Sequence, residues 1–146
     1  MTNKKTAVLR KFRELLKALT NFKYIGFYPE NIGDIGANFP CVLIKEGDES
    51  PAEVQENLAL KRVFLVHLYM YHNIAVKQIL DLPARQAEIE DTILDDVTLG
   101  ATAECSNWIS VEKGEYLDEF DKHTPGFHDN LSLRIITFEI ILKDAR

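Results

Sequence analysis

The chain has 146 residues, 46% of them hydrophobic and 27% charged, with a formal net charge of −6. These figures fit one ordinary globular domain over residues 1–146, long enough to bury a proper core, and exclude a fibrous or low-complexity chain. No apolar run reaches the ~18 residues that a membrane-spanning helix needs.

The N-terminal stretch MTNKKTAVLRKF has charge but no apolar core or small-residue cleavage site, so no signal peptide is expected. A helix is predicted over residues 6–19. Val8, Phe12, Leu15, Leu16 and Leu19 fall on one stripe at helical spacing, with Arg10, Arg13, Glu14 and Lys17 on the other side. Residues 22–28 form a short aromatic strand candidate. Residues 29–38, PENIGDIGAN, form a loop whose Gly33 and Gly36 suit turns and match no phosphate-binding spacing.

A second strand is predicted over 39–45, with Pro40 at its start or on an edge, because proline cannot donate to a ladder. Residues 46–57 are acidic and polar and predict a hairpin loop. The most informative stretch follows: 58–71, LALKRVFLVHLYMY, an unbroken run of strand formers. Val63, Leu65, His67, Tyr69 and Tyr71 share one face, and Phe64, Val66, Leu68 and Met70 share the other. Both faces are largely apolar, which predicts a central strand covered on both sides over much of its length.

Residues 74–97 predict helix in two parts, with Pro83 in a first turn just after Asp81. Ile89, Ile93, Leu94 and Val97 form its predicted buried stripe, and Glu88, Asp91, Thr92 and Asp95 a solvated face. Gly100 is a candidate for a left-handed capping position. Residues 101–112 predict a strand broken near Ser106 and Asn107. Residues 114–130 predict a polar loop or hairpin tip turning at Pro125 and Gly126. Residues 131–143, LSLRIITFEIILK, form the last strand. The order helix, strands, helix, strands predicts an α+β domain: a mostly antiparallel sheet with two helices packed on it.

Charge is unevenly distributed. Residues 1–24 carry seven basic side chains against Glu14 alone, a balance of +6, and the remainder carries 10 basic and 22 acidic, a balance of −12. Such a split is read either as a solvated helix face or as two opposed contact surfaces. The contact candidates are Arg10, Arg13 and Lys17 on the helix, against Glu46, Asp48, Glu49, Asp118, Glu119 and Asp121 in the acidic segments. Phe22, Tyr24, Phe27 and Tyr28 beside the basic helix suggest a stacking platform for nucleic acid. The acidic remainder argues against it, so no specific nucleic acid is expected.

Chemistry-bearing motifs are missing from the sequence. It holds no Gly-x-Ser-x-Gly elbow, no glycine-rich phosphate loop and no Cys-His nucleophile arrangement. His123 and His128 flank HTPGFH beside Asp121 and Asp129, but not at the spacing of a helical zinc pair. The acidic clusters lack calcium-loop spacing. His67 reads as a core or interface histidine, and His72 marks the exit of the long strand. Cys41 and Cys105, in separate predicted strands, read as buried thiols. No catalytic residue, metal or cofactor is expected.

The order of parts resembles the bacteriophage tail terminators, also called tail completion or minor tail proteins. The resemblance spans most of the chain. It rests on the opening amphipathic helix, the Phe39-Pro40-Cys41-Val42-Leu43-Ile44 strand and the long strand from Val63 to Tyr71. The stretch Asp96-Val97-Thr98-Leu99-Gly100 at a helix end and the closing Arg134-Ile135-Ile136-Thr137-Phe138-Glu139-Ile140 complete it. It implies a structural virion protein, assembled in the bacterial host cytoplasm, whose subunits form a hexameric ring. The ring caps the tail tube and joins it to the head connector, without catalysis. A bacterial α+β binding module or small enzyme, which could be a dimer, is the alternative expectation.

Overall fold

In the computed structural model, residues 4–28, 40–51, 60–73, 81–101, 103, 105–115 and 131–144 are described. Among the described residues seven elements run in chain order: α1 (Lys4–Lys17), β1 (Tyr24–Phe27), β2 (Cys41–Pro51), β3 (Leu60–Asn73), α2 (Asp81–Leu94), β4 (Cys105–Glu115) and β5 (Leu131–Asp144). The five strands form one sheet in the order β1-β2-β3-β5-β4. Only β1 and β2 pair in parallel; every other neighbouring pair is antiparallel. The α+β expectation holds.

The core explains why the helices sit where they do. Val8, Phe12 and Leu16 recur every fourth residue along α1 and are fully buried. They meet Val42 and Ile44 from β2, the Phe64, Val66, Leu68 and Met70 face of β3, and Ile136, Phe138, Ile140 and Leu142 from β5. From α2 the same cluster receives Leu82, Ile89 and Ile93. α1 packs on β1 and β2, and α2 on β4 and on α1. Both helices therefore cover one face of the sheet.

On its second face β3 is buried at the Tyr71 end and half-buried along the rest, so the expected cover on both sides is met there in part. Among the described residues, the second face carries a smaller buried group, Cys41, Leu43 and Tyr71, backed by Tyr24, Tyr69 and Leu133. Val63, Leu65, His67 and Tyr69 there are only half-buried.

Three boundaries also differ. β2 continues through the acidic stretch expected as a hairpin loop, staying paired to β3 as far as Pro51 with a register shift between Glu46 and Glu49. The long β3 offers a ladder that polar residues can follow once their side chains find partners. In β4 the irregularity lies between Trp108 and Ser110, not at Ser106 and Asn107. Leu94, on the outer flank of α2, and Val97, past its end, are exposed, not core.

The turn after α2 takes a left-handed backbone at Leu99 (φ 51°), Gly100 (φ 64°) and Ala101 (φ 68°). Gly100 therefore takes the capping conformation expected for it. Leu99 accepts an unfavourable φ, and its side chain is fully buried in the core. The Gly100 amide donates to Asp96 Oδ1 at 3.1 Å.

Candidate functional site

The residues that carry charge onto the surface are positioned by the two helices. On α1, Arg10 and Lys17 are exposed opposite the buried stripe, as the periodicity predicts. Arg13 is half-buried, with its guanidinium carbon 5.6 Å from the centre of the Phe27 ring. That contact ties the helix to β1, so Arg13 is partly engaged within the subunit.

Two of the acidic candidates are also engaged. Lys5 Nζ lies 2.7 Å from Glu49 Oε2 and 3.2 Å from Glu46 Oε1, and Arg62 reaches Glu49 Oε1 at 3.4 Å. The Lys5 hydrogen bond holds the Glu49 carboxyl below its usual range, and Glu49 and then Glu46 raise the Lys5 ammonium. Asp48 is exposed nearby. The structure thus brings Glu46 and Glu49 to the first turn of their own α1. Asp118, Glu119 and Asp121 lie outside the described residues, as do His123 and His128.

The solvated acidic face expected on the second helix is exposed in part. Asp91 on α2, Asp95 just past its end and Glu112 on β4 are exposed. Trp108 is 45% and Ile109 44% exposed on the outermost strand. Ile109 has no partner in the β4–β5 register: Trp108 faces Phe138 and Ser110 faces Thr137. It is the extra residue of a bulge, which turns side chains of an edge strand outward. The acidic helix face was legible in the sequence; the bulge has no such signal.

The two flanks of α2 are distinct. Glu88 faces α1, accepting from Asn21 Nδ2 at 2.7 Å, and pairs with Arg85 at 3.0 Å. On the opposite flank Gln86 Oε1 accepts from the Arg134 guanidinium of β5, and Glu90 lies close enough to favour the charged form of Arg134 against its burial. Leu94, one turn after Glu90, continues that outer flank and is exposed.

The aromatic residues near β1 do not make one platform. Phe22 is buried in the core, Tyr24 backs the second sheet face, and only Phe27 and Tyr28 are exposed. Tyr28 stacks on Tyr69 with centroids 5.2 Å apart, and Lys45 Nζ caps the Tyr28 ring at 4.7 Å.

His67 lies on the second face, where its Nδ1 is 2.8 Å from Thr137 Oγ1. Burial, and after it the charge of Lys45, hold the imidazole below its ordinary range, while Glu112 and Asp48 pull the other way. Thr137 is buried, so this hydrogen bond serves the contact between β3 and β5. Both cysteines are free thiols, Cys41 buried and Cys105 half-buried. Among the described residues, no group of three or more His, Cys, Asp or Glu side chains is placed to hold a metal ion, and no helix is long and apolar enough to cross a membrane. Basic side chains are exposed on α1, Phe27 and Tyr28 at the end of β1, acidic ones on α2, and Trp108 and Ile109 on β4. Comparison with protein-family models and with curated proteins returns no match.

Proposed function

We propose that the chain is a structural phage or prophage tail protein of the terminator type. It self-associates into a ring, a hexamer by resemblance to that family, which caps the tail tube and joins it to the head connector. It acts by docking, without turnover or cofactor, in the virion tail and, during assembly, in the host cytoplasm.

One observation carries the reading. Arg10 and Lys17 stand exposed on α1 and, among the described residues, meet no acidic side chain, while the adjacent Glu46 and Glu49 are occupied by Lys5. The basic helix face is thus left for an acidic surface on another chain. A closed ring is built from such unlike surfaces meeting head to tail, and opposed charge steers the encounter.

The test is tail completion in an extract lacking the native protein. Wild-type chain should convert open tails to head-joining tails, and Arg10→Glu, Arg13→Glu and Lys17→Glu together should abolish this while circular dichroism stays native. Full activity of the triple variant would remove the charge mechanism. Failure of the wild-type chain on every cognate tail would remove the assignment.

A further inference from the structure

We propose that His67 is an acid-sensitive latch on the outer half of β2. A neutral ring seats that strand against β3 beyond Ile44. A protonated ring lets residues 47–51 leave β3 while the rest of the sheet stays paired. The inference needs no second chain and stands apart from the tail reading.

The outer half of β2 is built to come away. β1 pairs only with Cys41, Val42, Leu43 and Ile44. Beyond Ile44, β2 has β3 as its one strand neighbour among the described residues. Fully buried side chains also end at Ile44: Lys45 and Gly47 are half-buried, and Glu46, Asp48 and Glu49 are exposed. Edge backbone that places no side chain in the core lies at the low end of local stability. The ladder is interrupted there as well. Glu46 faces Val66 and Glu49 faces Phe64, so Gly47 and Asp48 together stand opposite Leu65, as in a bulge.

His67 fastens this bulge to the sheet. Its Nδ1 is 2.8 Å from Oγ1 of Thr137, the residue opposite it on β5. Its other edge lies against the bulge, so closely that a Cβ on Gly47 would stand 2.6 Å from Nε2. The ring is thus held between a buried hydroxyl and the backbone of β2, and glycine leaves it that room. Ion pairs hold the rest of the arm: Glu46 and Glu49 with Lys5, and Glu49 with Arg62. Partly exposed pairs of this kind are individually weak.

Protonation works against the seated ring. The imidazole then carries charge in a half-buried position, with Lys45 directly opposite on β2. Asp48 from the bulge and Glu112 from β4 pull the other way. Glu139 on β5 and Tyr69 on β3 share the same sheet face, each one alternation away. Burial is the largest influence and, with Lys45 after it, lowers the seated ring below 6.5. Lifting Gly47 away opens the Nε2 edge to water and returns the ring to its ordinary range. The seated arm is therefore favoured above pH 6.5, and that preference is lost as pH falls through the lowered value. The arm is weakly fastened and the core does not depend on it, so the release is local.

Amide hydrogen exchange, read residue by residue by NMR as protection factors, tests the latch. Amides of residues 46–50 should exchange faster than those of Leu68, Phe138 and Ile140 in the centre of the sheet. Their protection should change little with low urea, because lifting the arm exposes little surface. From about pH 7.5 to about 5.5, a range around the ordinary histidine pKa, the arm should lose protection roughly threefold or more. His67→Gln, which cannot ionise, should remove that response. Lys5→Ala should loosen the arm at both pH values and keep the response, because Glu49 and Lys5 titrate outside this range. Gly47→Ala leaves the histidine in place and should lower the protection of the arm already at pH 7.5. Arm amides that share the protection and urea dependence of the sheet centre overturn the latch. So does an arm that ignores pH, a response that survives in His67→Gln, or a Gly47→Ala arm as protected as wild type.

Discussion

Lys5 on the first turn of α1 and Glu49 in the polar half of β2 are 44 positions apart in sequence, yet their side chains meet at 2.7 Å. The pair pins the helix to the extended strand. Both side chains remain partly exposed, so Lys5→Ala should cost only about 0.2–1 kcal/mol, less at high salt. The two shifts set the pH window. Glu49 is lowered from 4.5, so its contribution is present above that pH and lost as pH falls through the lowered value. Lys5 is raised from 10.5, so its contribution is full below that pH and lost as pH rises through the raised value. Urea unfolding of wild type and Lys5→Ala should therefore differ at pH 7 and converge at both extremes.

Phe12 has a larger role. Its ring is fully buried and lies 6.1 Å, centre to centre, from that of Phe138 on β5, tilted by 57°. Phe12→Ala removes the ring from between helix and sheet and should cost about 3–5 kcal/mol. Chemical denaturation gives the value directly, and a loss under about 1 kcal/mol would mean that α1 does not pack through this stripe.

The difference between these two residues marks what was legible in the sequence. Phe12 belongs to a repeat of fixed period, and periodicity predicted both the helix and its buried face, as it did the two faces of β3. Pro40 and Gly100 were legible because ring closure and a missing Cβ dictate where they can sit. The partner of Glu49 was not legible, because it depends on β2 extending beside β3 far enough to reach Lys5. Ile109 was hidden for a similar reason: a bulge arises from the register of two strands, and residues 105–115 alone do not encode it.

Gly47 offers a sharp test of the β2 extension. A Cβ there would stand 2.6 Å from His67 Nε2, 2.9 Å from His67 Cδ2 and 3.0 Å from Leu65 Cβ. The imidazole can move aside, but the Leu65 Cβ is fixed to the backbone of β3. Gly47→Ala should therefore destabilise by about 1–3 kcal/mol through overpacking. His67→Ala in the same chain should return part of that loss, giving a measurable coupling in a double-mutant cycle. If Gly47→Ala is neutral, the polar half of β2 does not lie against β3 as described.

His67 itself should make stability depend on mild acid. Its imidazole faces Lys45 and Asp48 from β2 and Glu112 from β4, and shares a hydrogen bond with Thr137 of β5. Burial is the largest influence and lowers the folded pKa from 6.5, with Lys45 acting in the same direction. The folded protein thus prefers the neutral ring. Its contribution stands above pH 6.5 and is lost as pH falls through the lowered folded value. Relative to His67→Gln, which cannot ionise, wild type should lose stability as pH is taken from about 7.5 to about 5, a range chosen around the ordinary histidine pKa. Carboxylates common to both proteins cancel in that difference. Titration of the ring by NMR should give a midpoint below 6.5, and Asp48→Asn with Glu112→Gln should lower it further, because those two carboxylates favour the charged ring. A midpoint at 6.5 with parallel stability profiles for wild type and His67→Gln, or one above 6.5 with wild type gaining stability as pH falls, would mean that burial does not control this side chain.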